Sequence, residues 1–142
     1  MKCIVYRKGY KYQVKQDFSI DTGIKPKKKP TSQFLDLTDE GLLTIKSGYA
    51  CDGPSGPTFD TLTFMRGAFV HDALYQLMRE GFVDSEKYRI KADQLLKEMC
   101  KEDGMNIFRR QWVYLGVRLF SNFATDPKKK KPEVWAPKGC PK

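Results

Sequence analysis

Several features that define common classes of protein are scarce in this sequence. Its four cysteines include no C-x-x-C pair, so neither a zinc ribbon nor a thioredoxin-type redox site is indicated. No apolar run is long enough to cross a bilayer, and the amino-terminal residues are too charged for a secretory signal. We therefore expect a protein without a transmembrane segment or signal peptide, with its thiols free in a reducing interior, while three disulfide connectivities of the four cysteines remain formally open.

Acidic residues are also few in comparison with basic ones. The 17 Asp and Glu residues against 26 Lys and Arg residues leave a formal net charge of +9. Lysine and proline blocks at 25–30 and 127–132 contain no aromatic residue, so base stacking is not indicated. The blocks predict exposed loops that could approach nucleic acid, anionic lipid or an acidic protein surface, and plain solvated connectors are the alternative.

The front part of the chain, 1–48, is β-rich. Residues 11–18 alternate weakly between apolar and polar, and the apolar runs 34–37 and 42–45 flank the turn sequence Thr-Asp-Glu-Gly. This pattern predicts a small antiparallel β-sheet that contains a hairpin. The glycines and prolines of 49–60 predict a shaped loop without regular structure.

Helical spacing of apolar residues dominates the rest of the chain. It predicts three helices, at about 61–80, 85–102 and 105–123. Gly81 and Gly104 are expected to end the first two helices, and Ser85 to be the N-cap of the second. We expect an α+β fold with a single domain, 1–126, in which the small antiparallel β-sheet precedes a bundle of three helices, and a basic Lys/Pro-rich tail, 127–142.

Apolar residues near the end of the chain are expected to be buried. In the third helix they recur at helical spacing, at Phe108, Trp112, Leu115, Leu119 and Phe123. Such a stripe is typical of a helix face packed on the core rather than of a ligand cage. In the basic tail, Trp135 is the one expected anchor.

The only histidine stands in the first predicted helix, beside an acid, in the stretch Phe-Val-His-Asp-Ala-Leu-Tyr at 69–75. Asp72 falls on the face expected to meet the core, where a carboxylate is costly, and Tyr75 follows His71 by one turn. In the second helix, Asp93 lies at the margin of an apolar stripe. If the two helices pack antiparallel, Asp93 can accept a hydrogen bond from one ring nitrogen of His71, and the other nitrogen can act as a general base. A satisfied structural pair is the alternative.

A cation could lie beside the histidine, because Asp72 projects about 100 degrees away from His71 around the helix. The loop before the helix could supply further oxygen ligands. These are the carboxylate of Asp52 and the backbone carbonyls of Tyr49, Cys51 and Gly53. Oxygen donors of this kind suit calcium or magnesium better than zinc.

Two other interpretations of these residues remain open. The sequence Asp-Gly-Pro at 52–54 could form a plain turn, while Asp72 pairs with an arginine such as Arg66 or Arg109. A thiol enzyme that uses Cys51 with the histidine is also chemically feasible, although nothing near this cysteine in the sequence would lower the pKa of its thiol.

The histidine stretch resembles the histidine and aspartate core of the phospholipase A2 superfamily, in particular the compact form in parvovirus capsid proteins. The resemblance includes the Gly/Pro loop before the stretch and Ala92-Asp93 in the next helix. In that family the histidine activates water for attack on an ester, and the adjacent aspartate and loop carbonyls bind calcium over the developing oxyanion. By position, the resemblance assigns the catalytic roles to His71, Tyr75 and Asp93, and calcium binding to Asp72 and to loop carbonyls near Tyr49, Cys51 and Gly53.

A second resemblance spans more of the chain. The order of motifs along the chain is similar to that of a family of unknown function encoded by phages and prophages. The order is a short β-sheet, the pattern G-Y-x-x-D-G-x-S-x-P at 48–57, then His-Asp-x-Leu-Tyr and finally Ala-Asp. This resemblance implies a phage origin, with the protein in the host cytoplasm or in the virion. It also implies one cluster that contains Asp52, Ser55, His71, Asp72, Tyr75 and Asp93.

Two classes of function follow from these expectations. The first is a metal-dependent hydrolase that attacks an ester or amide of the host envelope, where basic loops contact anionic lipid or cell-wall polymer. The second is a noncatalytic phage protein, in which the histidine and acid only lock helices together and the lysine loops contact DNA or virion proteins. A stoichiometric cation that is lost in His71→Ala or Asp72→Asn would favour the first class.

Overall fold

The structure is a computed structural model that describes residues 3–6, 12–51, 62–124 and 134–140. In chain order its elements are β1 (Ile4–Tyr6), β2 (Tyr12–Gln13), β3 (Phe18–Asp21), β4 (Leu35–Leu37), β5 (Leu42–Ile45), β6 (Ala50–Cys51), α1 (Leu62–Arg79), α2 (Ser85–Glu102), α3 (Ile107–Ala124) and β7 (Val134–Ala136). Small antiparallel sheets therefore precede three helices, which confirms the α+β single domain. No helix within the described ranges is long and apolar enough to cross a bilayer.

The largest sheet has three antiparallel strands in the order β3-β5-β4. Its hairpin joins β4 to β5 through the predicted turn. The Thr38 hydroxyl accepts a hydrogen bond from the N–H of Leu42, and Gly41 has a φ of +97°, a left-handed conformation that glycine adopts without strain. The turn chemistry read from the sequence is thus confirmed.

The weakly alternating stretch 11–18 contributes to two strands. Residues 12–13 pair with β6, and a separate strand begins at Phe18 and pairs with β5. Between them, the carboxylate of Asp17 accepts the N–H of Ser47 at 2.8 Å. Because a side chain rather than a backbone carbonyl takes this donor, the strand ladder is interrupted there.

The two ends of the described chain meet. β1 pairs with β7, the strand that contains Trp135, and beside this pair Cys3 and Cys140 form a disulfide. Cys51 and Cys100 are buried thiols outside any disulfide. The expectation of four free thiols is therefore wrong for one pair, and because its members are 137 residues apart, sequence spacing alone could not identify them.

Glycines end the first two helices as predicted. Gly81 and Gly104 have φ values of +81° and +92°. After Gly81, the N–H of Phe82 bonds back to the carbonyl of Leu77 in the last turn of α1. The short connection of residues 80–84 then makes α2 run antiparallel to α1.

The N-cap of α2 is Asp84, and the prediction of Ser85 is wrong. The carboxylate of Asp84 accepts hydrogen bonds from the N–H groups of Glu86 and Lys87. A carboxylate at this position also interacts favourably with the positive end of the helix dipole. At the start of α3, the side chain of Asn106 accepts the N–H of Arg109 at 2.9 Å.

Two apolar clusters form the core. The larger lies between the three-stranded sheet and the helices α1 and α2, and the smaller lies where all three helices meet. In α1, Gly67 faces Leu96 of α2, and a Cβ at Gly67 would lie only 2.9 Å from Leu96 Cδ1. The missing side chain therefore allows the two helices to approach closely, one turn before His71.

One face of α3 is not covered by the described part of the chain. Its exposed residues are Phe108 (86%), Trp112 (55%), Leu115 (52%) and Leu119 (80%). We call these four residues the α3 apolar face. The prediction that this stripe is core is wrong, because α3 packs on α1 and α2 through Val113 and Val117 instead; the side chain of Phe123 lies outside the described residues.

Candidate functional site

A fully buried carboxylate, that of Asp93 on α2, connects side chains from all three helices. Its Oδ1 lies 2.6 Å from Nε2 of His71 and accepts a hydrogen bond from the hydroxyl of Tyr75 at 2.5 Å. Its Oδ2 accepts a hydrogen bond from Nη1 of Arg118, on α3, at 2.6 Å. We call these four residues the Asp93 cluster. Both carboxylate oxygens have partners, so the cluster links α1, α2 and α3 at one point.

Helix geometry explains how the sequence builds this cluster. His71 and Tyr75 are one turn apart on the buried side of α1, with ring centroids 4.0 Å apart. The antiparallel α2 then places Asp93 opposite both rings. The expected hydrogen bond between Asp93 and His71 is present, although Asp93 lies inside the core and not at its margin.

Opposing effects set the protonation of the cluster. Burial by itself would raise the pKa of Asp93, but the hydrogen bond and charge of His71 and the hydrogen bonds from Tyr75 and Arg118 outweigh burial and lower that pKa. Burial, and then the hydrogen bond to Asp93, raise the pKa of Tyr75. At neutral pH the carboxylate is therefore ionised and the phenol is protonated.

The ionised carboxylate determines the tautomer of the imidazole. Because an ionised carboxylate can only accept, Nε2 of His71 carries the proton of the bond to Asp93, so Nδ1 is the ring nitrogen that can carry a lone pair. Within the described ranges Nδ1 makes no hydrogen bond, and the only buried side-chain nitrogen or oxygen without a partner is Nε of Arg89. The residue as a whole is 7% exposed. This is the geometry of a base oriented by an acid.

Asp72 does not lie on the core face of α1, and that expectation is wrong. It is half-buried and takes part in an interaction of its own, while the buried side of the helix passes through His71 and Tyr75. The alternative that Arg66 pairs with Asp72 is also wrong. Arg66 contacts Asp103 and Glu102 at 2.9 and 3.0 Å, because antiparallel packing places the start of α1 beside the end of α2.

Of the five predicted metal ligands, the structure describes Tyr49, Cys51 and Asp72. Asp52 and Gly53, like Ser55, lie outside the described residues. In the described ranges, no group of three or more His, Cys, Asp or Glu residues is arranged to hold a metal ion. One carboxylate and two carbonyls are fewer ligands than calcium takes. These residues alone do not fit a calcium ion, so calcium binding stays a prediction and no step proposed below passes through a metal.

Two arginines near the site were not identified from the sequence. Arg118 is the only basic residue in the apolar second half of α3, and this isolation was a signal that it contacts a buried acid. Arg89 precedes Asp93 by four residues, which places both on the same face of α2. Neither position can be assigned to the cluster without the packing of the helices.

Comparison with known proteins identifies a family. The fold and the Asp93 cluster define an α+β protein in which three helices surround a buried acid. A family model described as "Protein of unknown function (DUF1353)" matches residues 32–117, more than half of the chain, and this range contains His71, Tyr75 and Asp93. The chain belongs to this family. No curated protein and no solved structure matches the chain.

Proposed function

We propose that this protein is a hydrolase of phage or prophage origin that attacks an ester or amide bond of the host envelope, with His71 as its general base. The observation that carries the proposal is the 2.6 Å contact between Nε2 of His71 and Asp93. A carboxylate in this position fixes the tautomer of the ring and increases the basicity of the opposite nitrogen. The similarity of the His-Asp-x-Leu-Tyr stretch to phospholipases A2 and to phage proteins supports the class of reaction and the origin.

The reaction would begin with transfer of a proton from water to Nδ1 of His71. Asp93 would stabilise the imidazolium that forms, while Tyr75 and Arg118 hold the carboxylate in place through its two oxygens. The resulting hydroxide would attack the carbonyl carbon. The bond from that carbon to the ester oxygen or amide nitrogen would then break, and the imidazolium of His71 would return its proton to the departing oxygen or nitrogen. General-base catalysis of this kind contributes about 10²–10⁴-fold to a rate.

The surface near the site supports action on an anionic envelope. Leu115 and Leu119 of the α3 apolar face neighbour Arg118 on the same helix, so this face lies beside the Asp93 cluster. Exposed Trp, Phe and Leu on a helix of a basic protein are typical of segments that lie in a membrane interface. The lysines of block 25–30 are exposed and could contact anionic lipid or cell-wall polymer. A virion or envelope location, rather than the host cytoplasm, would also suit the disulfide between Cys3 and Cys140.

A noncatalytic phage protein, one that contacts virion partners or DNA, is the second candidate, and burial favours it. Asp93 is fully buried and its oxygens are satisfied, as expected of a network that only holds helices together. Two surface pockets in the described part of the chain, one lined by Thr31 and Phe82 and the other by Phe18 and Phe69 among others, are lined by no member of the Asp93 cluster. Under this alternative the histidine has no chemical role.

Hydrolysis assays separate the two candidates. Release of fatty acid from phosphatidylglycerol vesicles, and of chromophore from a short-chain aryl ester, would be measured for the wild type, His71→Asn and the exposed control Gln94→Ala. The proposal predicts a loss of about 100-fold or more in His71→Asn with an unchanged circular dichroism spectrum, and no loss in the control. A folded wild type without activity on esters or on amide analogues would contradict the hydrolase and favour the second candidate.

The calcium prediction is tested in the same assays. Metal content of the purified protein would be measured, and activity compared in calcium and in chelator. A stoichiometric ion that is lost in Asp72→Asn would support a cation beside His71, whereas full activity in chelator would exclude a catalytic role for calcium.

A further inference from the structure

The first lysine block forms a loop that is anchored to the fold at three points. Ile24 and Pro30, on either side of its lysines, are buried, and the N–H of Lys27 donates to the carbonyl of Phe82 at 2.8 Å. The ammonium group of Lys28 lies 5.3 Å from the centroid of the Phe82 ring. Between the buried ends all the lysines are exposed. The anchors hold these lysines in a fixed arrangement, which a plain solvated connector does not require.

The loop runs along the start of α2, which adds two more lysines. The carbonyl of Gly23 accepts a hydrogen bond from Nζ of Lys91 at 2.9 Å. Further along the loop, Lys27 is bonded to Phe82, just before α2 begins. Lys87 stands between these two contacts, one helical turn before Lys91, and both α2 lysines are exposed. We call the resulting surface the lysine patch, and its members are Lys25, Lys27, Lys28, Lys29, Lys87 and Lys91.

In the described part of the chain, the lysine patch has no ion pairs. The cations of the salt bridges there are Arg66, His71 and Arg118. Two acids that border the patch, Asp21 and Asp84, accept hydrogen bonds from backbone N–H groups instead. Cations that lie together without partners create a positive potential, which attracts anions. The patch therefore fits a partner with closely spaced negative charges.

The side chains of the loop distinguish among polyanionic partners. In residues 24–30 only lysines are exposed, so the loop offers no apolar side chain to enter a bilayer and no aromatic ring to stack on a single-stranded base. Specific protein interfaces are depleted in lysine and enriched in arginine and aromatic residues. The phosphates of a nucleic-acid duplex, in contrast, have a fixed spacing and are contacted by lysine without any base contact.

We infer that the lysine patch binds the phosphate backbone of double-stranded DNA without sequence preference. Lysines that contact phosphates release condensed counterions, so binding should weaken steeply as salt is added. Phosphate contacts carry no direct sequence information, so unrelated duplexes should bind equally. The inference does not depend on the proposed hydrolase, because the patch shares no residue with the Asp93 cluster. It gives the protein a second functional surface.

Fluorescence anisotropy of labelled duplex DNA tests the inference. Two unrelated duplexes of about 30 base pairs would be titrated with the full chain at several salt concentrations. The loop variant is Lys25→Gln/Lys27→Gln/Lys29→Gln, which keeps Lys28 on Phe82. We expect it to lose affinity by about tenfold or more at low salt, and the slope of log K against log salt concentration to fall in magnitude by about 2–3.

The matched control removes three exposed lysines outside the patch and is Lys15→Gln/Lys46→Gln/Lys101→Gln. Both triple variants have the same net charge, so a difference between them reports direct contacts rather than long-range attraction. The control should bind DNA within about threefold of the wild type. Lys29→Gln alone should reduce the salt slope by about 1, and it replaces the loop variant if that variant does not fold.

Single-stranded DNA of the same length and phosphatidylglycerol vesicles are the competing ligands. Tighter binding to the single strand than to the duplex would overturn the inference, as would a loop variant that loses binding to vesicles but not to the duplex. No binding to the duplex at low salt, equal losses in the two triple variants, or an unchanged salt slope would also contradict it. Duplex binding that only the loop variant loses would support the DNA surface, whether or not the protein hydrolyses esters.

Discussion

The interior of the helical bundle contains charged and polar side chains, whereas the outer face of α3 exposes apolar ones. Both differ from the usual distribution, in which apolar side chains are buried and polar side chains are exposed. Inside, an ionised Asp93 with 0% exposure is surrounded by His71, Tyr75 and Arg118. Outside, Phe108 and the other members of the α3 apolar face are exposed to solvent. Buried polar groups and exposed apolar faces are the informative exceptions in a folded protein.

The buried polar cluster and the exposed apolar face both include residues of α3. Arg118 of α3 bonds the buried carboxylate, while Leu115 and Leu119 beside it point outward. The buried polar network and the exposed apolar face therefore lie close together on α3. The following predictions test whether the interior network stabilises the fold and whether the outer face contributes to stability at all.

The largest expected effect comes from removing the buried acid. Asp93→Ala leaves Arg118 without its acceptor and Tyr75 and His71 without theirs, so the free energy of unfolding should fall by about 3–5 kcal/mol. Chemical denaturation measures this change. The matched control is Glu98→Ala, an exposed acid on the same helix, for which the change should be about 0.5 kcal/mol or less. Equal effects in the two variants would show that the cluster does not stabilise the bundle.

A pair of leucines compares inside and outside directly. Leu96→Ala, at 1% exposure in the cluster where the three helices meet, should lower the free energy of unfolding by about 2–5 kcal/mol. Leu119→Ala, at 80% exposure, should change it by about 0.5 kcal/mol or less, yet weaken binding to phosphatidylglycerol vesicles. A large loss of stability in Leu119→Ala would mean that the α3 apolar face is covered.

Alkaline pH should destabilise the protein through Tyr75. Burial, then the bond to Asp93, raise the pKa of Tyr75, so its contribution is complete below the ordinary tyrosine pKa and is lost as pH rises toward the raised value. Above pH 10 the free energy of unfolding should fall by about 1.4 kcal/mol per pH unit from this residue, and Tyr75→Phe should remove that part of the slope. An unchanged slope in Tyr75→Phe would show that the hydroxyl is not held by Asp93.

Acid should act through Asp93 with the opposite sign. Its lowered pKa means that its contribution is complete above the ordinary aspartate pKa and is lost as the pH falls through the lowered value. Stability curves of the wild type and Asp93→Asn should therefore converge at acid pH. Curves that stay parallel over the acid range would contradict this assignment.

The smallest expected effect concerns a helix end outside both regions. Asp84→Ala should lower the free energy of unfolding by about 1 kcal/mol, because it removes the acceptor of two N–H groups at the start of α2. Ser85→Ala should have a much smaller effect. A larger loss of stability in Ser85→Ala than in Asp84→Ala would show that Ser85 is the N-cap.

Local rules were sufficient where neighbours in the sequence decide the structure. Glycines predicted the ends of α1 and α2, and the turn residues predicted the hairpin. The short connection between the helices predicted that Asp93 lies opposite His71. The contact of Arg118 with Asp93 and the disulfide of Cys3 were not predictable in this way, because each joins segments whose approach depends on the whole fold.

The α3 apolar face shows the same limit of local patterns. Periodicity found the stripe through Trp112 and predicted that it is core, whereas the structure buries Val113 and packs Val117 against the same cluster. Packing with Phe64 and Ala68 of α1 and Leu96 of α2 buries the stripe through Val113.

The central claim is that Nε2 of His71 donates to Asp93 and that Nδ1 is the available base. Because the chain has one histidine, the imidazole ¹⁵N resonances of the protein give an unambiguous readout of its tautomer. For the neutral ring the account predicts a proton on Nε2, and a change in this signal in Asp93→Asn. A proton on Nδ1, or a mixture of tautomers that Asp93→Asn leaves unchanged, would contradict it.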